Sequence, residues 1–218
     1  MGEPSIEITE LYQEDIIIAS DIMSRAFLKS LSGLYYICNV DRDGFEDRLK
    51  KYFQIANRVH IAEGQSILGI YIQNRLIGVA AINEPLYQRT ALMKLYFLTR
   101  ILAATNVQTA CRYLKYTHLV SQSLPKKPYF YLGRIAIEPK FQRLGHGKAL
   151  LNKIQQISQS DKKSTGVILE TANPQNVKYY HSLGYKTICQ IDTPMVKETI
   201  MVRHNSSNES TYQQHNFE

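Results

Sequence analysis

An apolar strand, a short glycine-bearing turn and an amphipathic helix follow one another in Ile135-Ala136-Ile137-Glu138-Pro139-Lys140-Phe141-Gln142-Arg143-Leu144-Gly145-His146-Gly147-Lys148-Ala149-Leu150-Leu151. Ile135 and Ile137 alternate as a strand does, and Pro139 ends the ladder because it has no N–H to donate. Leu150, Leu151, Ile154 and Ile157 then recur at helical spacing. The first N–H groups of a helix lack internal partners and sit at the positive end of its dipole, so a turn that gathers them around an anion binds pyrophosphate. Gly145 and Gly147 allow the close backbone approach that this needs, although two glycines between strand and helix also suit a purely structural turn.

Two familiar phosphate loops fail on spacing. A P-loop needs four residues between its glycines and Ser or Thr after the Lys, whereas one residue separates Gly145 from Gly147 and Ala149 follows Lys148. The dinucleotide fingerprint needs a third small residue where Leu150 stands. A second segment narrows the choice. Val167-Ile168-Leu169-Glu170 reads as a short buried strand, followed by Asn173-Pro174-Gln175-Asn176-Val177-Lys178-Tyr179-Tyr180-His181-Ser182-Leu183-Gly184-Tyr185. Asn173 is a good N-cap, Pro174 a good first helical residue and Gly184 a fitting stop.

Gln142-Arg143-Leu144-Gly145-His146-Gly147 resembles the Gln/Arg-x-x-Gly-x-Gly/Ala loop of the GNAT superfamily of N-acetyltransferases. The second segment is similar to that family's Asn-x-x-Asn/Ala-x-x-Phe-Tyr-x-x-x-Gly-Phe run, with Tyr180 at the family's Tyr and Tyr185 in place of its Phe. Order and separation also match, so the resemblance covers at least residues 129–190. Tyr129-Phe130-Tyr131-Leu132-Gly133, preceded by two helical stretches and a Pro-Lys-Lys-Pro turn, looks like the puromycin-acetyltransferase-like branch.

The resemblance implies an α/β fold with a twisted, mostly antiparallel mixed sheet of about seven strands, splayed between the fourth and fifth and flanked by helices. Acetyl-CoA, the acyl donor, would lie in that gap, with no metal. Ile135, Ala136 and Ile137 would meet the pantetheine, through the backbone of Ile135 and Ile137. Gln142, Arg143, Leu144, Gly145, His146, Gly147 and Lys148 would surround the pyrophosphate, and Asn173 and Asn176 would touch the cofactor. Arg143 stands where many relatives have Gly, a departure without an obvious penalty. The implied chemistry is attack of a neutral amine on the thioester, a backbone N–H near Ile137 facing the oxyanion and Tyr180 protonating the thiolate. Packing under the sheet is the competing role for Tyr180, as helix capping is for Asn173. Glu84 and Glu170, each at a strand end, are the candidate bases, with His118 and His146 behind them. The expected acceptor is a primary amine of a small molecule; a protein amino group, or acyl-CoA binding without turnover, are the alternatives.

With 218 residues the chain suits one domain over 1–203, with a helical insertion near 88–124 and a polar, disordered tail over 204–218. No apolar run is long enough for a membrane helix, and the first residues carry neither a signal-peptide pattern nor a myristoylation site, so a cytoplasmic protein without a membrane partner is expected. Three widely spaced cysteines, Cys38, Cys111 and Cys189, argue against disulfides or zinc and read as small core residues. The net charge of +7 suits any polyanion, but nucleic-acid motifs are absent; Lys126, Lys127, Arg134, Lys140, Arg143 and Lys148 bracket the glycine turn. Periodicity predicts strands at 6–8, 59–63, 67–72, 76–82 and 195–203, and helices at 14–28, 45–55, 90–104 and 106–123, with a hairpin turn at Asn74-Arg75. Segment 90–104 is apolar nearly all round, which predicts a buried helix; lining an acceptor pocket or forming a homodimer contact is the other reading.

Overall fold

A computed structural model describes residues 5–30, 32–193 and 195–205. The expectations for the first four residues and for 206–218 lie outside them. The elements in chain order are β1 (Ile6–Glu10), α1 (Ile16–Phe27), α2 (Gly33–Cys38), α3 (Phe45–Ala62), β2 (Ile67–Ile72), β3 (Arg75–Asn83), α4 (Ala91–Ala104) and α5 (Val107–Ser123). They continue with β4 (Tyr129–Ile137), α6 (His146–Ser160), β5 (Gly166–Thr171), α7 (Pro174–Ser182), β6 (Lys186–Asp192) and β7 (Lys197–His204). The fold is α/β, with one seven-stranded sheet in the order β1-β2-β3-β4-β5-β7-β6. Every neighbouring pair is antiparallel except β4–β5, which is parallel.

Side-chain alternation along the strands divides the interior between the two sheet faces. On one face Val79 and Ala136 pack beneath α1–α5 with Met23, Ile37 and Phe53. On the other, Leu132, Leu169 and Met201 pack against Leu150 and Ile154 of α6 and Tyr180 of α7. A smaller cluster of Ile168, Ile200 and Val202 lies under Val120 of α5.

Several boundaries differ from the sequence reading. The strand expected at 59–63 is the last turn of α3: buried Leu49, Phe53, Ala56 and Val59 keep helical spacing, and the β-branched Val59 and Ile61 yield to that packing. Gly64, at φ +69°, follows the helix. The β2–β3 turn is Gln73-Asn74, both left-handed, while Arg75 already pairs with Ile72. α4 is not buried, since Leu92 and Leu95 are 75% and 59% exposed, while Phe97 and Ile101 are buried and Leu98 packs partly buried against the core. Cys38 is buried as expected, but Cys111 is exposed and Cys189 half-buried.

His204 closes β7, and Asn205 is buried at its end. The Asn205 amide donates to the carbonyls of Ser158 and Ser164 at 2.9 and 3.0 Å, and its oxygen accepts from Gln155 Nε2 at 2.8 Å and Ser158 Oγ at 3.0 Å. Asn205→Ala strands these partners and is expected to cost about 3 kcal/mol. For a chain of this size that lowers Tm by roughly 6–12 °C, measurable by thermal denaturation.

Candidate active site

β4 and β5 pair only from Tyr129 with Gly166 to Leu132 with Leu169. Beyond that the strands part, and β4 remains hydrogen-bonded to β3 alone. The Glu138 N–H donates to the Ile77 carbonyl at 2.8 Å, so by ladder alternation the backbone groups of Ile135 and Ile137 face away from β3, into the gap. Ala136 faces back to β3 and buries its methyl beneath the helices.

The glycine turn closes one end of this gap. A single 3₁₀ turn over Pro139–Phe141 follows the strand, and Gln142 Nε2 then donates to the Ile137 carbonyl at 2.9 Å. Gln142 thereby ties the turn to β4. Arg143 is left-handed at φ +63°, so a departure expected to be without penalty carries a cost, on the order of 1 kcal/mol. Gly145, at φ +87°, is the N-cap of α6, and a Cβ there would meet nothing within 4 Å. The turn thus opens onto free space at the first, unpaired amides of α6. A Cβ at Gly147 would come within 4 Å of the Tyr179 hydroxyl and of Ile137. Leu144 is exposed, whereas His146 is buried with its ring against Phe141. α1 is fixed to this end of β4 by Arg25, whose guanidinium meets the Glu138 carboxylate at 2.6 Å.

A cavity of about 1080 Å³ runs from this turn through the gap to the opposite face of the sheet. At one end it is lined by Gln142, Arg143, Gly145, Gly147 and Lys148, with Asn173, Asn176 and Tyr180 of the α7 segment beside them. Neither Leu144 nor His146 is part of this lining. Asn173 caps α7 by accepting from the Gln175 N–H at 2.9 Å. Tyr180 is buried between Tyr179 and Tyr185, with ring centroids at 5.7 and 5.6 Å, and desolvation raises its phenol above the usual range. It therefore stays protonated at neutral pH.

The far end of the cavity is a chamber under the helices, walled by Phe27, Tyr52, Phe97, Tyr113, Tyr116 and Tyr131. Glu170, on the parted end of β5, accepts from the Tyr131 hydroxyl at 2.5 and 2.6 Å. Burial pushes its carboxyl up to about 8, opposed by the Tyr131 hydrogen bond and reinforced by the nearby Glu198. Glu198, on β7, accepts from Tyr116 at 3.0 Å and is itself raised by burial. The other base candidates are placed differently. Glu84 is exposed at the cavity rim, and His118 faces solvent, bonded to Gln122 at 3.0 Å. His60, another lining residue, is held down at about 3 by desolvation, and its Nε2 faces the carbonyls of Ser66 and Ile82 at 3.1 and 3.0 Å.

Arg134 departs from the sequence reading as well. It does not flank the glycine turn: its side chain lies in the chamber beside Tyr52, Tyr113, Tyr131 and Arg89. The chamber residues come from α1, α3, α4, α5, β4, β5 and β7, and no spacing in the sequence joins them. Among the described residues no group of three or more His, Cys, Asp or Glu side chains could hold a metal ion. No described helix is long and apolar enough to cross a membrane.

Residues 28–185 match the profile of the acetyltransferase (GNAT) family. Among solved structures, the chain resembles a histone acetyltransferase HPA2 and related acetyltransferase from Corynebacterium glutamicum at 18% identity and TM-score 0.65, covering 93% of this chain and 97% of that one. It also resembles the C-terminal condensation domain of Ebony in complex with beta-alanyl-dopamine, at 14% identity and TM-score 0.64 over 93% and 100% of the two chains. The PaiA N-acetyltransferase of Thermoplasma acidophilum, solved in complex with coenzyme A, matches at 15% identity and TM-score 0.57 over 92% and 99%. At these identities the likeness is one of fold.

Proposed function

The chain belongs to the GNAT acetyltransferase family, and from that premise we propose that it transfers the acetyl group of acetyl-CoA to the primary amine of a small molecule. The observation that carries this reading is the Glu170 carboxyl, held at about 8 inside a tyrosine-walled cavity that crosses the gap between β4 and β5. An ammonium acceptor must lose a proton before it can attack, and a base poised near the working pH serves that step best. A chamber roofed by helices fits a small acceptor better than a protein surface.

In this reading the outward backbone groups of Ile135 and Ile137 extend the sheet onto the pantetheine, and the amides opening α6 hold the pyrophosphate. The amine, its proton passed to Glu170, donates its lone pair to the thioester carbon. A backbone N–H near Ile137 faces the oxyanion. As the tetrahedral intermediate collapses, the C–S bond breaks, the N–C bond remains and Tyr180 gives its proton to the departing sulfur, while the second proton, shed by the nitrogen as it becomes an amide, restores the Tyr180 hydroxyl. The burial that keeps Tyr180 protonated suits it to that donation.

Acetyl-CoA should raise the melting temperature. A ligand at about a hundred times its dissociation constant adds roughly 2.7 kcal/mol, which here means roughly 5–10 °C. A calorimetric scan showing no shift at saturating acetyl-CoA would overturn the cofactor site.

A further inference from the structure

Resting on that reading, we infer that the acceptor carries a carboxylate, bound by Arg134, and that it is an amino acid with an apolar or aromatic side chain rather than a simple amine. Nε and Nη2 of Arg134 are buried with no hydrogen-bond partner among the described residues. A buried guanidinium without a counter-ion is costly, and proteins keep one where a ligand supplies the missing charge. Desolvation accordingly depresses Arg134, and the neighbouring Arg89 adds repulsion.

The acids nearby are engaged elsewhere. Glu63 lies at 3.0 Å from Arg89, which also donates to the Tyr113 hydroxyl at 3.2 Å. Glu170 takes the Tyr131 hydroxyl, and Glu198 takes that of Tyr116. The chamber therefore offers one uncompensated positive group and, across Tyr131, a carboxyl able to accept a proton from an ammonium. Arg134 and Tyr131 both turn to the helical side because the β3–β4 register shifts between Ala81 and Ile82, opposite Gly133. At about 3.3 Å per residue their backbones are roughly 10 Å apart, a span that two long side chains close around an amino acid. A planar guanidinium with free N–H groups matches a carboxylate in two-point geometry, which a simple amine does not supply. Tyr52, Tyr113 and Phe97, packed at 4.7–6.5 Å between ring centroids, leave an aromatic wall for the side chain.

The test uses matched pairs that differ only in the carboxylate: L-phenylalanine with 2-phenylethylamine, L-tryptophan with tryptamine, and L-leucine with 3-methylbutylamine. Each is added to the CoA-saturated protein for thermal shift, and to acetyl-CoA for turnover. At least one amino acid is expected to raise Tm and to be acetylated with a KM at least tenfold below that of its amine. Arg134→Gln should erase this preference and leave the shift given by CoA unchanged. Equal or better use of the amines, a preference that survives in Arg134→Gln, or CoA binding with no amino acid bound would each overturn the proposal. The wild-type panel decides even if the variant fails to fold. A parallel run with succinyl-CoA separates the other source of a carboxylate: Arg134-dependent succinylation of the simple amines would assign the group to the donor and overturn the acceptor assignment. Loss of the CoA shift in the wild type would instead count against the cofactor site.

Discussion

Glu170→Gln is expected to lower the acceptor kcat/KM by about 10²- to 10⁴-fold, the range over which a positioned base contributes. The pH profile carries the sharper signature. With its carboxyl at about 8, wild-type activity should rise with pH through that value, because only the carboxylate accepts the amine proton. The variant should lose that rise while keeping the thermal shift given by acetyl-CoA. The same substitution should stabilise the fold in alkaline solution. A carboxyl raised in the folded state contributes stability that is complete below its unfolded value near 4.5 and is lost as pH rises through about 8. That loss is on the order of 5 kcal/mol, and Gln, which cannot ionise but can still accept from Tyr131, avoids it. Calorimetry at pH 5 and pH 8.5 should show wild-type Tm falling more steeply than that of the variant. An unchanged rate and profile would remove Glu170 from the chemistry.

Tyr180→Phe should cost about 10²-fold in kcat with little change in the acetyl-CoA thermal shift. The ring is packed between Tyr179 and Tyr185, so Phe keeps the packing and deletes only the hydroxyl. A wild-type rate retained by Tyr180→Phe would leave Tyr180 as a packing residue. Acetyl-CoA binding without acetylation of any amine by the parent would favour the non-catalytic alternative.

What the sequence makes legible here is local. Pro139, the left-handed Gly145, the Asn173 cap and the stop at Gly184 each act within one turn of chain, and the structure places them where spacing puts them. Glu170 could be suspected because it ends a short apolar strand. Nothing local marks Arg134, Tyr116 or Glu198 as neighbours; α5, β4 and β7 meet only once the sheet order is set, and a register shift decides which way Arg134 points. α3 outruns its sequence signal for a related reason: Val59 and Ile61 favour strand in isolation, while the buried stripe of the helix continues through Val59. α4 inverts the usual rule, exposing Leu92, Leu95 and Tyr96 on a helix whose composition alone predicts burial.

The cavity reaches exposed residues at both of its ends, Gly145 and Lys148 beside α6 and Leu86 and Ser121 on the helical side. On the proposed reading, the two reactants have separate doorways and meet only at the parting of β4 from β5. An acetylated product can then leave past the tyrosines while the spent coenzyme still occupies its cradle. Neither departure requires the halves of the sheet to swing apart, and a parallel pair as short as four residues can remain a fixed seam throughout turnover.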